Sequence, residues 1–351
     1  MNCDYIVVGQ GIAGTNLCHA LQKQNLKVAV IDQGHHKSSS ASAAGIVNPV
    51  TGRRFVKAWM YDKLREKALE VYGEFEDLLN RKLIFPQPII RAVSSESENN
   101  NLNNRYDKPE YRKYIHALDA PEPIKSRFKT DWGWVSLKKS LQVDIRGLIK
   151  DYREILKERD NLIEEEFDIE KIKYHDSHVE YSGLQARGIV FAQGAEGINN
   201  PLFDYISYEP SKGQAERIKW EGESLDCIFK GRVFVVPLPD SEEHWVGTIN
   251  KWDFEHDRPE EEMKTELLAK FKSCFKEKFQ CLESLSGVRA GIKDRKPVMG
   301  RHPLHPRLFI FNGLGAKGTS FAPFWSERMA EFMGGDSDAI PIEVSSDRFW
   351  K

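Results

Sequence analysis

The chain has 351 residues, which is long enough for two domains and a large hydrophobic core. Its 51 basic and 53 acidic residues nearly balance, so the composition lacks the global basic excess of a nucleic-acid-binding protein. No apolar run approaches the roughly 20 residues that a membrane-spanning helix needs. Scattered cysteines without a C-x-x-C pair predict free thiols and no metal site. Because the first predicted strand begins near residue 4, we expect no signal peptide and a cytoplasmic protein.

Residues 4–32 predict a nucleotide-binding unit. Two short apolar strands flank a G-x-G-x-x-G turn and an amphipathic helix, a βαβ pattern in which the second strand ends at Asp32. Gly9 permits the tight turn, Gly11 lets a pyrophosphate approach the backbone, and Gly14 lets the helix pack closely. The helix N-terminus favours phosphate, and Asp32 is placed to accept hydrogen bonds from a ribose. The alternative is a glycine-rich turn in another α/β protein.

The residues after Asp32 predict a packed loop and then a long helix. The small-residue run at 38–45 would let backbone approach a flat, bulky group, whereas a flexible linker is the alternative. Interleaved charged and apolar positions predict a helix over residues 54–82. We then expect a strand at 83–93, an exposed mobile loop at 94–104, a strand at 131–137 and a helix at 143–157.

The middle of the chain predicts a second glycine turn and a second sheet. Residues 188–195 form a predicted buried strand that runs into a glycine turn, which is either a cofactor contact or an ordinary strand end. Short strands around 210–214, 232–237 and 245–248 predict a mostly antiparallel sheet. A helix is expected over residues 260–278, with Cys274 and Cys281 in the core rather than in a disulfide.

The last third of the chain carries two further signals. Arg289 is either a carboxylate-binding guanidinium, since its planar fork matches a carboxylate, or a structural partner of an acid such as Asp294. A predicted strand at 308–312 enters a glycine-rich turn, and a helix begins near Thr319. This repeats the geometry at the start of the chain and would aim a helix N-terminus at an electron-rich group.

Taken together, these motifs resemble the FAD-dependent D-amino-acid oxidase family, and within it the glycine/sarcosine oxidases. In chain order the matching segments are residues 9–14 with Asp32, 43–45, 190–195, PSKGQ at 210–214, GVRAGIKDRKPVMGRHP at 287–303 and GLGAKGTSFAP at 313–323. The first motif is shared with many flavin and NAD enzymes. The block at 289–303 and PSKGQ are far more specific to the family.

The resemblance implies an α/β protein of two domains. A Rossmann-like FAD-binding domain would be assembled from residues 1–82, 140–208 and 286–351, and a mainly antiparallel substrate domain from residues 83–139 and 209–285. The implied activity is oxidation of the Cα–N bond of a small amino acid or secondary amine, by hydride transfer to flavin N5. Oxygen or another acceptor would reoxidise the flavin, and we expect no nucleic-acid partner and no membrane span.

The resemblance also assigns site residues. Those implied for the ADP half are Gly9, Gly11, Ile12, Ala13, Gly14, Asp32 and Gln33, with Phe167 at the adenine through its backbone and Ala192 and Gly194 along the cofactor. Those implied for the ribityl chain and flavin are Ser40, Ala41, Ala44, Gly45, Ile46, Leu314, Gly315, Ala316, Lys317, Gly318 and Thr319. Arg289 matches the arginine that binds the substrate carboxylate.

Three departures from the family pattern bear on substrate and cofactor. Phe234 stands where close relatives have a tyrosine, so we expect a pocket wall without a hydroxyl. Ala316 stands where a second arginine is usual, and Lys317 beside it would supply charge to the flavin or the substrate. No cysteine lies at 289–294, where sarcosine-oxidase relatives attach flavin, so we expect noncovalent FAD.

Other functions fit the same fold. One alternative is a FAD-dependent 2-hydroxyacid dehydrogenase, and another is the oxidative part of a tRNA-uridine-modifying protein. A basic face around Arg53, Arg54 and Lys57 would favour the tRNA function, although the balanced overall charge opposes it. A non-catalytic dinucleotide-binding or redox-sensing protein is the third possibility.

Overall fold

The computed structural model describes residues 2–34 and 38–350. Within these ranges the α-helices are α1 (Ile12–Lys23), α2 (Tyr61–Leu79), α3 (Glu96–Tyr106), α4 (Pro109–Arg112), α5 (Glu122–Arg127), α6 (Ile145–Glu158), α7 (Glu261–Lys272) and α8 (Gly318–Met333). None of these described helices has both the length and the apolar character needed to cross a membrane.

The strands of the described ranges are short in the first half of the chain and longer in the second. They are β1 (Tyr5–Val8), β2 (Val28–Ile31), β3 (Ile46–Val47), β4 (Val50–Thr51), β5 (Val56–Lys57), β6 (Ile84–Pro86), β7 (Ile89–Ala92), β8 (Ile115–Ala117), β9 (Trp134–Leu137), β10 (Leu141–Val143), β11 (Leu162–Ile163), β12 (Ile172–Tyr174), β13 (Val179–Tyr181), β14 (Leu184–Ala186), β15 (Gly188–Phe191), β16 (Ser211–Trp220), β17 (Ile228–Lys230), β18 (Phe234–Pro237), β19 (Glu243–Lys251), β20 (Phe279–Arg289), β21 (Val298–Arg301) and β22 (Leu308–Asn312).

The first large sheet, named the cofactor sheet after the FAD-binding domain that the resemblance implies, has the strand order β11–β2–β1–β15–β22–β21. Its neighbouring strands are parallel except β21, which runs antiparallel to β22. The apolar strands β1, β2 and β15 are buried along their whole length, as expected for a parallel sheet covered on both faces. Because parallel strands end at the same edge, residues 9, 32, 192 and 313 follow their strands at one side of this sheet.

Helices cover one face of the cofactor sheet and a small sheet covers the other. Buried side chains of α1, α2, α6 and α8 form one core, with Leu17, Phe75, Tyr152 and Trp325 among them. Strands β12, β13 and β14 form an antiparallel sheet whose Tyr181 and its neighbours pack on the opposite face. Both cores bury apolar area, which is the main stabilising contribution to this half of the molecule.

The second large sheet, named the substrate sheet after the substrate domain that the resemblance implies, has the order β20–β16–β19–β18–β17–β7–β9–β8. Its strand pairs are antiparallel, except that β17 and β7 are parallel. Helix α7 packs on one face, and Phe55 and Tyr61 lie in the core on the other. The mixed α/β architecture predicted from the sequence is therefore confirmed, whereas the segment bounds of the two domains stay a prediction.

Several predicted element bounds are wrong. The helix expected over 54–82 begins only at Tyr61, because β4 and β5 pair as a hairpin and Phe55 and Met60 adopt left-handed backbone conformations with φ of 50° and 52°. The predicted strand at 83–93 is divided into β6 and β7. The helix expected over 260–278 ends at Lys272, and Cys274 is buried with a free thiol, as predicted.

The loop expected at 94–104 is helix α3. The Ser95 hydroxyl caps it by accepting a hydrogen bond from the Glu98 backbone N–H at 3.2 Å. Leu102 is buried, and the buried carboxylate of Glu98 pairs with Arg91. The asparagine-rich composition hid a local S-x-x-E capping signal, which predicts a helix start.

Candidate active site

The first glycine turn combines close packing with one open position. A side chain at Gly9, whose φ is +98°, would approach the Ala192 carbonyl oxygen at 2.7 Å, and one at Gly14 would lie 1.8 Å from the Gly9 oxygen. At Gly11 the nearest atom to such a side chain would be Ser40 Oγ, at 3.4 Å. Gly9 and Gly14 are thus required by the protein's own packing, whereas Gly11 leaves free space beside the N-terminus of α1, where a phosphate would be bound favourably.

Asp32 lies at the end of β2 and is held by three donors. Its Oδ2 accepts from the Gln10 backbone N–H at 2.7 Å, and its Oδ1 accepts from the Gly34 N–H at 2.8 Å and from Arg153 Nη1 at 2.7 Å. Arg153 also contacts Glu164 Oε1 at 3.0 Å. Since a carboxylate offers about four acceptor positions, Asp32 keeps capacity for a further donor such as a ribose hydroxyl.

The small-residue loop is packed rather than a free linker. Ser40 Oγ accepts from the Ile12 N–H at 3.1 Å, which ties this loop to the first glycine turn. The Ser42 carbonyl accepts from Trp245 Nε1 at 3.0 Å. Gly45, with φ of +69°, lies so close to β10 that a side chain there would be 1.8 Å from the Val143 oxygen. The loop is therefore fixed between the cofactor sheet and the substrate sheet.

The second glycine turn lies beside the first. After β22, Gly313 takes φ of +73°, and Gly315–Lys317 forms a 3-10 turn that leads into α8. The Gly315 N–H donates to the Ala290 oxygen at 3.2 Å. A side chain at Gly318 would lie 3.1 Å from Ile12 Cγ2, so the N-termini of α1 and α8 are neighbours although about 300 residues separate them in the sequence.

These segments enclose a cavity of about 330 Å³ between the two sheets. Its lining residues come from the first turn, the small-residue loop, the 48–61 segment, the substrate sheet and the second turn; they include Ile12, Ser40, Ala44, Gly45, Ile46, Thr51, Trp59, Phe234, Trp245, Arg289, Gly315, Ala316, Lys317, Gly318 and Thr319. Among the described residues, Arg289 and Lys317 are the charged side chains of this lining, and no carboxylate contributes to it. The cavity is therefore electropositive.

Arg289 ends β20 and its guanidinium has a neutral partner. Its Nη1 donates to Asn250 Oδ1 at 2.6 Å, and burial lowers its pKa. The predicted alternative of a structural pair with Asp294 is wrong, because the Asp294 carboxylate lies 3.3 Å from Arg348 Nε instead. Within the described chain Arg289 makes no ion pair, so its charge is available to a ligand in the cavity.

Lys317 and Phe234 line the same cavity. The Lys317 Nζ lies 5.5 Å from the centre of the Phe321 ring, and burial, followed by the charge of Arg295, lowers its pKa. Phe234 forms a wall with the Lys230 ammonium 4.4 Å from its ring centre. Both predicted residues are thus brought together with Arg289, although no sequence pattern had pointed to the other wall residues Trp59 and Trp245.

The other predicted cofactor residues lie along the edge of the cofactor sheet. The Ala192 N–H donates to the Val8 oxygen at 2.8 Å, and the Gly194 oxygen accepts from Asn312 Nδ2 at 3.0 Å. Gln33 Nε2 donates to Glu196 Oε1 at 3.0 Å. The Phe167 ring stacks on Tyr181, with ring centres 4.3 Å apart, and the backbone contact of Phe167 to adenine stays a prediction.

A second cavity of about 660 Å³ adjoins Gln33 and Gly34. Helix α6 lines it with Arg146, Lys150, Arg153 and Lys157, and Ser42 of the small-residue loop lines both cavities, as does Leu285 of β20. Sequence reasoning missed the α6 residues, because positive charges on an amphipathic helix usually indicate only a solvated face.

The residues present fit a flavin dinucleotide. The open side of Gly11 at the start of α1 suits a pyrophosphate, and Asp32 suits a ribose. The cavity continues from Ile12 and Ser40 to the second turn, where backbone N–H groups at the start of α8 could contact a flavin ring.

Comparisons with known proteins agree with this geometry. A glycine oxidase from Bacillus licheniformis is 24% identical over 359 residues, covering 95% of this chain and 93% of that protein. A bifunctional tRNA 5-methylaminomethyl-2-thiouridine biosynthesis protein from Marinobacter nauticus is 22% identical over 93% of this chain, which spans 54% of that relative. The crystal structure of glycine oxidase from Geobacillus kaustophilus superposes with a TM-score of 0.82 at 18% identity and 99% coverage of both chains.

The family described as DAO, FAD dependent oxidoreductase, matches residues 4–332. That match covers most of the chain and includes both glycine turns, the small-residue loop and Arg289. The resemblance drawn from the sequence is confirmed, and the chain belongs to the DAO family of FAD-dependent oxidoreductases.

Proposed function

We propose that the protein oxidises the Cα–N bond of a small amino acid or secondary amine whose carboxylate binds to Arg289. The observation that carries this proposal is a guanidinium in the wall of the cavity that the second glycine turn also lines, without an ion-pair partner in the described chain. FAD, when bound, supplies the hydride acceptor for such an oxidation. The likeness to two glycine oxidases supports an amine substrate.

The residues of the cavity would orient the substrate and select its protonation state. Arg289 would fix the carboxylate through a charge-assisted hydrogen bond, and Phe234 would limit the space around Cα. Two cations without a nearby acid disfavour an ammonium group, so the substrate would bind as the free amine. The proton would then leave to solvent before the reaction, because the described lining offers no carboxylate or histidine to receive it.

The charge of Lys317 and the mode of cofactor attachment follow from the same site. Lys317 is proposed to stabilise negative charge on the cofactor ring or on the substrate, as a point charge at the start of α8. None of the five cysteines lines the cavity, which supports noncovalent FAD. Acid precipitation of the purified protein should therefore release the yellow cofactor into the supernatant, and a cofactor retained in the pellet would contradict this.

A substrate panel tests the proposed activity. The FAD-loaded protein would be mixed without oxygen with glycine, sarcosine, D-alanine, D-proline and 2-hydroxyacids, and flavin absorbance near about 450 nm would be followed. We expect amino acids to bleach the flavin and hydroxyacids not to do so. Bleaching by hydroxyacids alone would contradict amine oxidation, and oxygen uptake compared with dye reduction would then identify the acceptor.

Replacing Arg289 tests the carboxylate contact. Arg289→Leu should lower kcat/KM for a carboxylate substrate by roughly 1,000-fold, because a charge-assisted contact is lost in a partly buried site. FAD content should not change. Arg112→Leu, at an exposed position of α4, serves as the matched control. Unchanged turnover in Arg289→Leu would remove this residue from the site.

A tRNA-modifying function is the second candidate, favoured by the likeness to the bifunctional tRNA protein. Arg53 and Arg54 are exposed at the turn of the β4–β5 hairpin, which borders the cavity through Thr51. Lys57 of the same proposed basic face pairs with Asp62 at 2.7 Å, which reduces its availability. Salt-sensitive tRNA binding that is lost in Arg53→Glu would favour this function over free amino acids.

A further inference from the structure

Asn250 is the direct partner of the proposed substrate arginine. It lies on β19, where its backbone is paired with Gly213 of β16, and Ser211 of β16 is paired with Arg289. Asn250 Oδ1 accepts from Arg289 Nη1 at 2.6 Å. A side chain at Gly213 would lie 2.5 Å from Arg289 Nη2, so the guanidinium lies against bare backbone on its other side. The guanidinium is therefore oriented by an amide and by a glycine.

Three other arginines of this chain, buried or half-buried, have carboxylate partners instead. Arg153 pairs with Asp32 at 2.7 Å, and Arg91 pairs with Glu98. Arg217, on the same strand as Gly213, pairs with Glu243 at 2.7 Å. An amide holds a guanidinium in place as an aspartate would, because the two side chains have the same shape, but it does not neutralise the charge.

Two acids near Asn250, Glu260 and Glu262, pair with lysines of the substrate sheet. Lys251, the next residue of β19, contacts Glu260 at 2.8 Å and Glu262 at 3.0 Å. The fully buried Lys212 also pairs with Glu260. Since neighbouring strand residues point to opposite faces, these charges balance one another on the α7 side of the substrate sheet. The cavity side keeps the positive charge of Arg289.

We propose that Asn250 determines the charge class of the substrate. As a neutral partner it orients Arg289 and leaves the positive charge for a substrate carboxylate, so that the site takes amines bearing a carboxylate and rejects amines without one. An aspartate at this position would neutralise Arg289 and compete with the substrate carboxylate. This inference rests on the proposed function, in which Arg289 binds that carboxylate.

Binding of simple carboxylates to the FAD-loaded protein tests the proposal without relying on turnover. Acetate would be titrated into the wild type, Asn250→Asp, Asn250→Ser and Arg289→Leu, with calorimetry and the flavin spectrum as readouts. We expect Asn250→Asp to weaken acetate binding roughly 100-fold, as the loss of a charge-assisted contact would. Asn250→Ser leaves the charge of Arg289 unneutralised and removes only the group that orients its guanidinium, so we expect a loss of acetate affinity of about tenfold. Asn103→Asp, at an exposed position of α3, controls for the added negative charge.

The opposite change is expected for cationic amines. Ethylamine, which has no carboxylate, should bind more tightly to Asn250→Asp than to the wild type, because the added carboxylate offsets the repulsion by Arg289. Equal losses of acetate affinity in Asn250→Asp and Asn250→Ser would overturn the charge argument. Unchanged acetate binding in both variants, with weakened binding in Arg289→Leu, would remove Asn250 and leave the proposed function standing. Unchanged binding in Arg289→Leu as well would contradict the proposed function itself.

Discussion

The two ends of the proposed cofactor cleft each hold an arginine, and the partners of the two arginines differ in charge. At the proposed ADP end, Arg153 has 7% of its side chain exposed and is engaged by Asp32, Glu164 and Gln10. At the proposed substrate end, Arg289 contacts the neutral Asn250 and makes no ion pair in the described chain. Arginine thus forms part of a structural network of ion pairs at Arg153, whereas at Arg289 its positive charge is not neutralised by the protein.

This difference distinguishes a residue with a structural role in the cleft, Arg153, from a residue proposed to bind the substrate, Arg289. Arg153 links α6 to the first glycine turn and to the end of β2, and removing it would leave the Asp32 carboxylate partly buried with one donor fewer. Arg289 joins no comparable network of charges, since its hydrogen-bond partner Asn250 is a neutral amide. We therefore expect changes at the ADP end to act on cofactor binding and stability, and changes at the substrate end to act on turnover.

The largest expected effect at the ADP end comes from the first glycine turn. Gly14→Ala would place a methyl group 1.8 Å from the Gly9 oxygen, so the turn must deform, and we expect loss of FAD binding together with a marked loss of stability. At position 11 a Cβ would meet no backbone atom within 4 Å, so the Gly11→Val apoprotein should keep its melting temperature while FAD binding is lost. Thermal melting and FAD titration of both variants separate these results.

Gly73→Ala is the matched control for that pair. Gly73 lies within α2, and a side chain there would meet nothing within 4 Å. Alanine should stabilise the helix by roughly 0.5–1 kcal/mol and leave FAD affinity unchanged. If Gly11→Val bound FAD as tightly as Gly73→Ala, the open side of Gly11 would not be the phosphate site.

How much of this could be predicted from the sequence depends on how local each signal is. Gly9, Gly14 and Asp32 belong to one short motif whose spacing encodes its geometry, and Arg289 belongs to a block specific to the family. Arg153 and Asn250 carry no such signal, because their partners lie 121 and 39 residues away and meet them only in the folded protein. Helix α3 is the opposite case. Its S-x-x-E capping pattern is a local signal, but the polar, asparagine-rich composition of the segment led to the prediction of a loop.

A smaller effect is expected from Arg153. Arg153→Leu should weaken FAD binding roughly 10- to 100-fold, because the Asp32 carboxylate loses its charged donor and its orientation toward the ribose. Once saturated with FAD, the variant should bind acetate as the wild type does. Arg153→Lys keeps the charge without the planar fork and should fall between the two. If Arg153→Leu left FAD affinity unchanged but weakened acetate binding, Arg153 would belong to the substrate end of the cleft and the proposed assignment of the two ends would be wrong.

The smallest expected effect concerns the stability of the folded protein in acid. It compares a buried group that resists protonation, His244, with the charged Arg289 of the same sheet. His244 is fully buried against Trp220, and its Nε2 accepts a hydrogen bond from the Leu225 backbone N–H at 3.3 Å. Burial, followed by the charge of Arg127, lowers the pKa of His244 from 6.5 to about 3. The unfolded chain therefore binds a proton below about pH 6.5 that the folded protein resists, and this residue lowers the free energy of unfolding as the pH falls, by about 1.4 kcal/mol for each pH unit.

Urea unfolding of the wild type and His244→Gln between pH 7.5 and 5 measures this contribution. Glutamine can accept from the Leu225 N–H but cannot stack on Trp220 as the imidazole does, so the variant should be less stable at pH 7.5. Because glutamine does not titrate, the variant should lose less stability than the wild type on acidification. His116→Gln, an exposed histidine in β8 of the same sheet, should leave the pH dependence unchanged. If the free energy of unfolding fell equally with pH in the wild type and His244→Gln, the folded protein would accommodate a protonated ring at this position. The α7 face of the substrate sheet would then tolerate a charge, as its cavity face does with Arg289.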